Sequence, residues 1–377
     1  MSDLIEKYLR TNGPALSSKI SEYLAEELGL SPEAARKRVS RAAGEVKKLA
    51  YVTFPRKARY MYLEQHFGAP WYWDNLIAAL VETNSAFGHA LAALRLRDGI
   101  TREAHFPIIC GAPVKQLKHL SPEGIYTRLN QAGLLEKITV PALGPCIALV
   151  QAPGYYDQAA MYMHAKLITE SVLLAAVKDW LRNLGFVSYG RVATRDDPTY
   201  PDLPRVSTFA WDLTAPSYLG HMVKYGRDGK AKPGFIACDV HLGEEVTVEG
   251  IRPFIHKCRT LRNLRNVGPC MQMFVADKYD EDAFRLLKEN GILPATPANL
   301  FGEVVAEGLR KLTGVLHKAA VAAIDPAEFD ELFKRLSGIE GATHQLRGTL
   351  FEYLAGEMAR RTISPNVRMN LRAAVQN

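Results

Sequence analysis

Apolar residues recur every three to four positions near the start of the chain, a spacing that buries one face of a helix. This spacing and the flanking turn residues predict one helix over Asp3–Arg10 and a second that Ser17 or Ser18 caps and that ends at Leu28. A third helix begins at Ser31-Pro32-Glu33, where a cap residue precedes proline and an acid. Its expected buried stripe comprises Ala35, Val39, Ala42, Val46 and Leu49.

Two short strands are predicted next, at Tyr51–Phe54 and Arg59–Leu63, joined by the basic turn Pro55-Arg56-Lys57. Helix, helix, basic helix and basic hairpin is the order of a winged helix-turn-helix, and residues 1–66 resemble that family. The resemblance implies that six basic residues contact duplex DNA: Lys37, Arg38, Arg41, Lys48, Arg56 and Lys57. The alternative is a helix face that is only solvated.

Residues 72–152 resemble a second, divergent copy of the first. The run Leu30-Ser31-Pro32-Glu33-Ala34 has a counterpart in Leu120-Ser121-Pro122-Glu123-Gly124. The predicted elements are helices at Asn75–Val81 and Ala86–Leu96, an extended His105–Cys110, a helix from Ser121 to near Gly133, and strands at Leu135–Val140 and Cys146–Gln151. This copy is much less basic, so we expect it to pack against protein, and Gln151–Tyr156 is the expected linker.

From about residue 160 the pattern changes to one helix, three strands, and then alternating helix and strand. Glu170 lies on the apolar stripe of a predicted helix at Lys166–Leu184. Strands are predicted at Phe186–Ala193, at Val206–Thr214 with Asp212, and at Gly234–Leu242. In the third strand Asp239 and His241 share one face, and the other face is wholly apolar. The elements expected afterwards are Val248–Leu264, Cys270–Ala276, Asp280–Asn290, Ile292–Ala295 and Ala298–Leu312.

This arrangement resembles the PD-(D/E)XK nuclease superfamily, which has the restriction-endonuclease-like fold, over roughly residues 160–315. Its motif is an acid on the second strand, acid-x-lysine on the third, and often a glutamate from the preceding helix. The matching positions here are Asp212, Asp239, His241 and Glu170. His241 departs from the motif because lysine normally stands there, and Lys257 on the following helix is the other candidate for that role.

The resemblance implies catalysis by Glu170, Asp212, Asp239, His241 and Lys257, with Mg²⁺ held by Asp212 and Asp239. If His241 is a metal ligand instead of a base, Mn²⁺ becomes the favoured ion. Arg259 and Arg262 on the following helix are expected to contact DNA phosphates beside the site. The expected activity is metal-dependent DNA endonuclease, as found in restriction, phage defence or mobile elements, and cutting both strands favours a homodimer.

The alternative is a nuclease fold that has lost catalysis and only binds DNA, as a regulator or as a subunit that assembles with a protein partner. Either way, we expect a multidomain α+β protein with tandem winged helices at 1–66 and 72–152, a restriction-endonuclease-like α/β domain with a mixed sheet at 157–312, and a helical C-terminal segment at 313–377. That last segment either closes or dimerises the fold, or the native chain continues beyond Asn377.

Composition narrows the class of protein. A net charge of +7 and an isoelectric point near 9.0 suit a polyanionic partner such as double-stranded DNA. No run of eighteen apolar residues and no secretory signal are visible, so neither a membrane span nor export is expected. Five cysteines without a C-x-x-C spacing indicate neither disulfides nor a zinc ribbon, and they favour the cytoplasm.

Overall fold

The computed structural model describes residues 3–116, 119–140, 143–150, 155–199, 202–226, 229–265, 267–319, 331–332 and 335–336. These residues form a mixture of helices and strands with a mixed central sheet, which confirms the α+β class. Most of the predicted linker and most of the C-terminal segment after Ala319 lie outside the described residues.

The first unit is a small sheet carried by three helices. Its elements are α1 (Asp3–Asn12), β1 (Ala15–Leu16), α2 (Ser17–Leu28), α3 (Pro32–Ser40), β2 (Val46–Lys48) and β3 (Tyr60–Leu63). The strands are antiparallel in the order β1-β3-β2. Leu9, Ile20, Leu24 and Val39 join the three helices in one core, so the helical periodicity was read correctly over α1, α2 and α3.

Three details of this unit were wrong in the sequence prediction. The third helix ends at Ser40 because Val46 pairs with Leu63 in the sheet, so Lys48 lies on a strand. Tyr51–Phe54 forms no strand. The residue before α2 is Leu16, and the Ser17 hydroxyl accepts a hydrogen bond from the Arg59 amide instead of capping the helix. Compared with the sequence prediction, the third helix is therefore shorter and the hairpin after it is longer.

The second unit repeats this order after one added helix. Its elements are α4 (Pro70–Glu82), α5 (Ala86–Arg95), β4 (Ile100–Arg102), α6 (Phe106–Ile109), α7 (Pro122–Gln131), β5 (Leu135–Val140) and β6 (Gly144–Leu149). The sheet order β4-β6-β5 is that of the first unit, strand for strand. The extended conformation predicted for His105–Cys110 was wrong, since Phe106–Ile109 is a short helix, and β4 was missed.

The third unit is a five-stranded sheet between two layers of helices. Its elements are α8 (Tyr155–Asn183), β7 (Ala193–Thr194), β8 (Arg205–Val206), β9 (Phe209–Ala210), β10 (Leu213–Ser217), β11 (Lys224–Tyr225), β12 (Ala231–Lys232), β13 (Gly234–His241), α9 (Val248–Arg262), β14 (Cys270–Ala276), α10 (Glu281–Glu289), β15 (Leu293–Ala295), α11 (Pro297–Phe301) and α12 (Glu303–Ala319). The sheet order is β15-β14-β13-β10-β7. Strands β7, β10 and β13 are antiparallel, whereas β13, β14 and β15 are parallel.

The alternating residues of β13 separate the two layers of this unit. Ile236, Cys238 and Val240 face the core shared with α8 and α12, and Ala237 faces α9 and α10. The wholly apolar face expected for this strand is therefore confirmed as a core face.

Several strand predictions in this unit were wrong. Phe186–Ala193 is not a strand, since only Ala193–Thr194 pairs with β10. Val206–Thr214 divides into the small hairpin β8–β9 and the start of β10, because Ser207 turns the chain with a φ of 56°. The hairpin β11–β12 was not predicted. The last predicted helix is broken at Gly302, whose φ of 87° ends α11 before α12 begins.

Among the described residues, one helix, over Ala159–Asn183 in α8, is long and apolar enough to cross a membrane by length and composition alone. Of its most apolar 18-residue window, 61% is buried inside the protein. Val172, Leu173 and Val177 pack against the central sheet, so this helix behaves as the core helix of the third unit.

The second unit is docked on the third through α5 and α9. The backbone of Gly111 approaches the Pro253 carbonyl so closely that an added Cβ would lie 2.6 Å from its oxygen. His89 on α5 stacks on His256 of α9, with ring centroids 4.5 Å apart. The two units therefore meet along a packed interface.

Candidate functional site

Three carboxylates that the sequence pattern singled out converge in the interior. The Asp212 amide donates to Asp239 Oδ1 at 3.1 Å, and the Val240 amide donates to Asp212 Oδ2 at 2.8 Å. Glu170 joins them because its Oε1 accepts from the Leu242 amide at 3.1 Å. All three residues are at most 5% exposed. The sequence pattern thus identified groups that lie together, but it did not show that they are buried.

The sheet register explains this convergence. Leu213 pairs with Cys238, so Asp212, just before β10, lies beside Asp239 on β13. Helix α8 crosses the same sheet and brings Glu170 to the end of β13. The Asp239 carboxylate thus bonds an amide 27 residues away, and the Glu170 carboxylate bonds one 72 residues away, at the same end of the strands.

Arg195 bridges two of the carboxylates. It lies in the loop after β7, and its Nη2 donates to Glu170 Oε2 at 2.6 Å while its Nη1 donates to Asp212 Oδ1 at 2.8 Å. Burial lowers the pKa of Arg195, but Asp212 and Glu170 outweigh that effect and hold it well above its ordinary value. The sequence did not indicate Arg195, because this residue lies in the polar loop Arg195-Asp196-Asp197, which has no periodic pattern of apolar residues.

Lys257 reaches the third carboxylate from α9. Its Nζ donates to Asp239 Oδ2, to the Ala210 carbonyl at 3.0 Å and to the Ile108 carbonyl at 3.1 Å. It also lies 4.0 Å from the centre of the Trp211 ring, and its side chain is fully buried. Burial raises the pKa of Asp239 above its ordinary value, against the opposing charge of Lys257. Lys257, considered as a substitute for the missing lysine, therefore does contact one of the carboxylates, that of Asp239.

A third cation, Arg97, completes the cluster. It follows α5 in the second unit, and its Nη1 donates to the Ala93 carbonyl at 3.2 Å. Burial lowers the pKa of Arg97, whereas the nearby charges of Glu170, Asp212 and Asp239 oppose that shift. Three buried carboxylates thus lie near three cations: the Arg195 and Lys257 side chains are buried, and Arg97 is half-buried. We call Glu170, Asp212, Asp239, Arg97, Arg195 and Lys257 the charge cluster. Its formal charges balance.

The charge cluster does not fit a divalent metal ion in this arrangement. Each carboxylate oxygen of Glu170, Asp212 and Asp239 already accepts a hydrogen bond from an amide, from Arg195 or from Lys257. The expected metal ligands Asp212 and Asp239 therefore have no oxygen free for an ion, and the Arg195 guanidinium also bridges Asp212 to Glu170. Throughout the described ranges, no three His, Cys, Asp or Glu side chains form a group that could hold a metal ion.

His241 stands apart from the charge cluster. It is fully buried, and neither ring nitrogen makes a hydrogen bond of normal geometry within the described part of the chain. Burial, together with the charges of Lys166 and Arg97, lowers its pKa well below the ordinary value. A neutral, buried imidazole results, and its predicted roles as a base or a metal ligand stay predictions.

A small cavity separates the second and third units next to the charge cluster. Its volume is about 30 Å³, room for one or two water molecules. Arg97, Thr101 and His105 line it from the second unit, and Lys166 and Glu170 line it from α8. The carboxylates are therefore enclosed by protein, with only this small cavity beside Glu170.

The predicted DNA-binding residues of the first unit are on its surface. Arg41, Arg56 and Lys57 are exposed, whereas Arg38 is half-buried. Lys37 is ion-paired with Glu33 at 2.9 Å, and Lys48 Nζ donates to the Ser40 carbonyl at 2.8 Å. Residues 36–59 contain nine Lys or Arg and a single acid, so this surface is strongly basic.

Arg259 and Arg262 make contacts within the third unit. Arg259 Nε donates to Asn290 Oδ1 at 2.6 Å, and Arg262 Nε donates to Gln272 Oε1 at 2.8 Å. These bonds attach α9 to β14 and to the end of α10, although both residues are exposed. Their contact with DNA stays a prediction.

The cysteines add no further chemistry to this picture. All five are free thiols, and burial raises the pKa of Cys238, Cys258 and Cys110, so they are not reactive thiolates. Function must therefore be inferred from the charge cluster and the basic surface. The chain matches no protein-family model, no curated protein and no solved structure.

Proposed function

We propose that this chain is a DNA-binding protein whose nuclease-like third unit is a scaffold that does not hydrolyse DNA. One observation carries the proposal: every carboxylate oxygen of Glu170, Asp212 and Asp239 is satisfied by a cation or an amide of the protein itself. A metal-dependent nuclease needs carboxylates with spare negative charge that face its substrate. Here the formal charge is balanced and the groups are buried.

DNA binding is assigned to the first unit. Its order of helix, strand, helix, helix, strand and strand is that of a winged helix, which supports the proposal. The nine basic residues of 36–59 lie on α3 and the following hairpin, the two elements that such a fold presents to duplex DNA. Backbone phosphates are the groups that this charge would contact first.

The charge cluster has a structural role in this proposal. Lys257 joins Asp239 to the Ile108 carbonyl of the second unit, and Arg97 brings a cation from that unit toward the carboxylates. His105 of the second unit lies 4.0 Å from Asp196, beside Arg195. A buried charge pair is costly when either partner is lost, so the cluster favours one docked position of the second unit.

The test is metal-dependent cleavage. The full chain is incubated with supercoiled plasmid and Mg²⁺ or Mn²⁺, and the plasmid forms are separated on a gel. We expect salt-sensitive binding and no conversion to open-circle or linear DNA. Nicking or cutting that Asp212→Asn and Asp239→Asn both abolish, while both variants still bind duplex and unfold cooperatively, would refute the proposal, because a folded variant would then have lost only the cleavage.

A metal-dependent endonuclease is the second candidate, and the convergence of three carboxylates with Lys257 favours it. In that case Asp212 and Asp239, with Glu170 beside them, would hold Mg²⁺ or Mn²⁺, which would supply a Lewis acid and an activated water. Arg195 would have to release Glu170 and Asp212 when DNA or a protein partner opens the interface. Such an enzyme would suit restriction, phage defence or a mobile element, as a homodimer where both strands are cut. The distinguishing variant is Arg195→Lys, which should increase metal-dependent nicking under this candidate and leave it absent under the first.

A further inference from the structure

The end of the central sheet that lies away from the charge cluster is unusually basic. Three loops meet there, at residues 184–192, 218–226 with 229–233, and 263–265 with 267–269, and together these residues contain five Lys or Arg and no Asp or Glu. The Ser217 hydroxyl, on the last residue of β10 before the second loop, donates to the Phe186 carbonyl of the first loop. The Phe235 amide, near the start of β13 just after the second loop, donates to the Pro269 carbonyl of the third. We call these three loops the basic loop face.

The basic loop face is distinct from the charge cluster. Ser217 pairs with Gly234 at one end of β10 and β13, whereas Asp212 and Asp239 lie toward the other end. Asp239 lies five positions along the strand from Gly234, a distance of roughly 17 Å at the rise of an extended chain. A ligand on this face therefore would not need access to the carboxylates.

Three tyrosines on this face are exposed although their rings are largely apolar. Tyr189 is 75% exposed, Tyr218 is 52% exposed and Tyr225 is 76% exposed. One of them is already in contact with a cation, because the Arg182 guanidinium lies 4.9 Å from the centre of the Tyr189 ring. Exposed aromatic rings among cations are the feature with which proteins stack unpaired bases and hold the phosphates beside them.

The hairpin β11–β12 places two like charges close together on this face. Lys224 and Lys232 are directly opposite each other, and like charges in that position destabilise a pair of strands. The hairpin joins no larger sheet, so it has little other support. No acidic side chain within the described ranges is ion-paired with Lys224, Lys232, Arg191 or Arg265. An anion bound between the two lysines would offset their repulsion.

We propose that the basic loop face binds single-stranded nucleic acid, with Tyr225 stacking on a base and Lys224 and Lys232 contacting the backbone phosphates. Bases in a duplex are already stacked on each other, so exposed tyrosines fit an unpaired strand better. This inference deepens the proposed function, and it rests on it only in taking nucleic acid as the partner. The first unit would then hold duplex while the third holds an adjacent unpaired strand.

Fluorescence anisotropy of the full chain tests this assignment, with labelled oligo(dT) of about 20 nucleotides and a duplex of the same length as probes. Lys224→Glu with Lys232→Glu should weaken oligo(dT) binding by at least about tenfold and reduce its salt dependence. Tyr225→Ala should weaken it by about tenfold, while Tyr225→Phe, which keeps the ring, should stay within about twofold. The matched control is Lys278→Glu with Lys288→Glu, which changes the net charge equally at exposed positions elsewhere.

Each outcome of this experiment has a definite meaning. An equal loss in the control pair would show that only net charge matters, and it would overturn the proposal. Unchanged oligo(dT) binding in Tyr225→Ala, with weakened duplex binding in the lysine pair, would assign the face to duplex phosphates and overturn it too. Arg41→Glu with Lys57→Glu separates the two proposals. If this pair of substitutions leaves both oligo(dT) binding and duplex binding unchanged, the proposed role of the first unit fails, while the proposed single-strand site on the basic loop face stands.

Discussion

The first and second units share one order of elements, after one added helix in the second, and one sheet order, yet their surfaces differ in charge. The first unit presents nine Lys or Arg against one acid over residues 36–59. The corresponding part of the second unit, residues 122–149, contains two basic and two acidic residues. Its second helix is also reduced to Phe106–Ile109, whereas α2 runs over Ser17–Leu28. One topology therefore serves two kinds of surface.

The two units differ in how much of their polar surface stays in contact with water. A basic surface stays hydrated until phosphates displace its counterions. The second unit instead buries His89 and the Ile108 carbonyl against α9, and Arg97 lies beside the charge cluster. These contacts fix the second unit to the third.

The largest effect is expected where the second unit is fastened to the charge cluster. Lys257→Met leaves the Asp239 carboxylate buried without its cation and also frees the Ile108 and Ala210 carbonyls. We expect the free energy of unfolding to fall by about 3–5 kcal/mol in urea denaturation. Lys288→Met on the exposed side of α10 is the control and should change it by less than about 0.5 kcal/mol. A similar small change in both variants would mean that the cluster does not hold the interface.

The next effect concerns the basic surface of the first unit. Arg41→Glu with Lys57→Glu should weaken duplex binding by roughly 100-fold in about 0.1 M salt and lower the salt slope by about two. The matched pair in the second unit, Arg128→Glu with Lys137→Glu, should leave affinity within about threefold. Anisotropy titrations at several salt concentrations make the measurement. Equal losses in the two pairs would remove the distinction between the units.

A smaller effect is expected from one glycine at the interface. Gly111→Ala adds a Cβ 2.6 Å from the Pro253 carbonyl oxygen and also strains a φ of +71°. Gly133→Ala in the same unit has the same φ but meets nothing within 4 Å. Thermal and urea unfolding should show a loss of about 2 kcal/mol for Gly111→Ala and about 1 kcal/mol for Gly133→Ala. Identical losses in the two variants would show that the close approach of Gly111 to α9 does not affect the free energy of unfolding.

The last prediction concerns pH. Burial, His256 and Arg252 lower the pKa of His89 to about 3, so the folded protein keeps this imidazole neutral while the unfolded chain protonates it near pH 6.5. The unfolded state then binds more protons below pH 6.5, and stability falls as the pH falls. Between pH 7.5 and 5.5 this group should cost about 1.4 kcal/mol. His89→Gln should lose that much less stability over the same range, and an unchanged pH slope would contradict the burial of His89.

Much of the fold followed from the sequence because periodicity reports the faces of long elements. The eight-residue strand Gly234–His241 and the helices α9 and α10 were predicted within a few residues, whereas α8 begins at Tyr155, well before the predicted Lys166. Short elements gave weaker signals. The two-residue strands β7, β8, β9, β11 and β12 contain too few alternations to register a period, so they were merged, misplaced or missed.

The sequence by itself determined which carboxylates come together. Asp212 and Asp239 lie at matching ends of neighbouring strands, and Glu170 lies on the helix that covers them, so strand order and side-chain alternation suffice to bring them close. Tertiary structure alone decided what neutralises them. Arg195 stands 17 residues from Asp212, and Lys257 stands 149 residues from the Ile108 carbonyl that it also binds. Such pairings depend on how the units pack, which no local pattern of hydrophobic and polar residues encodes.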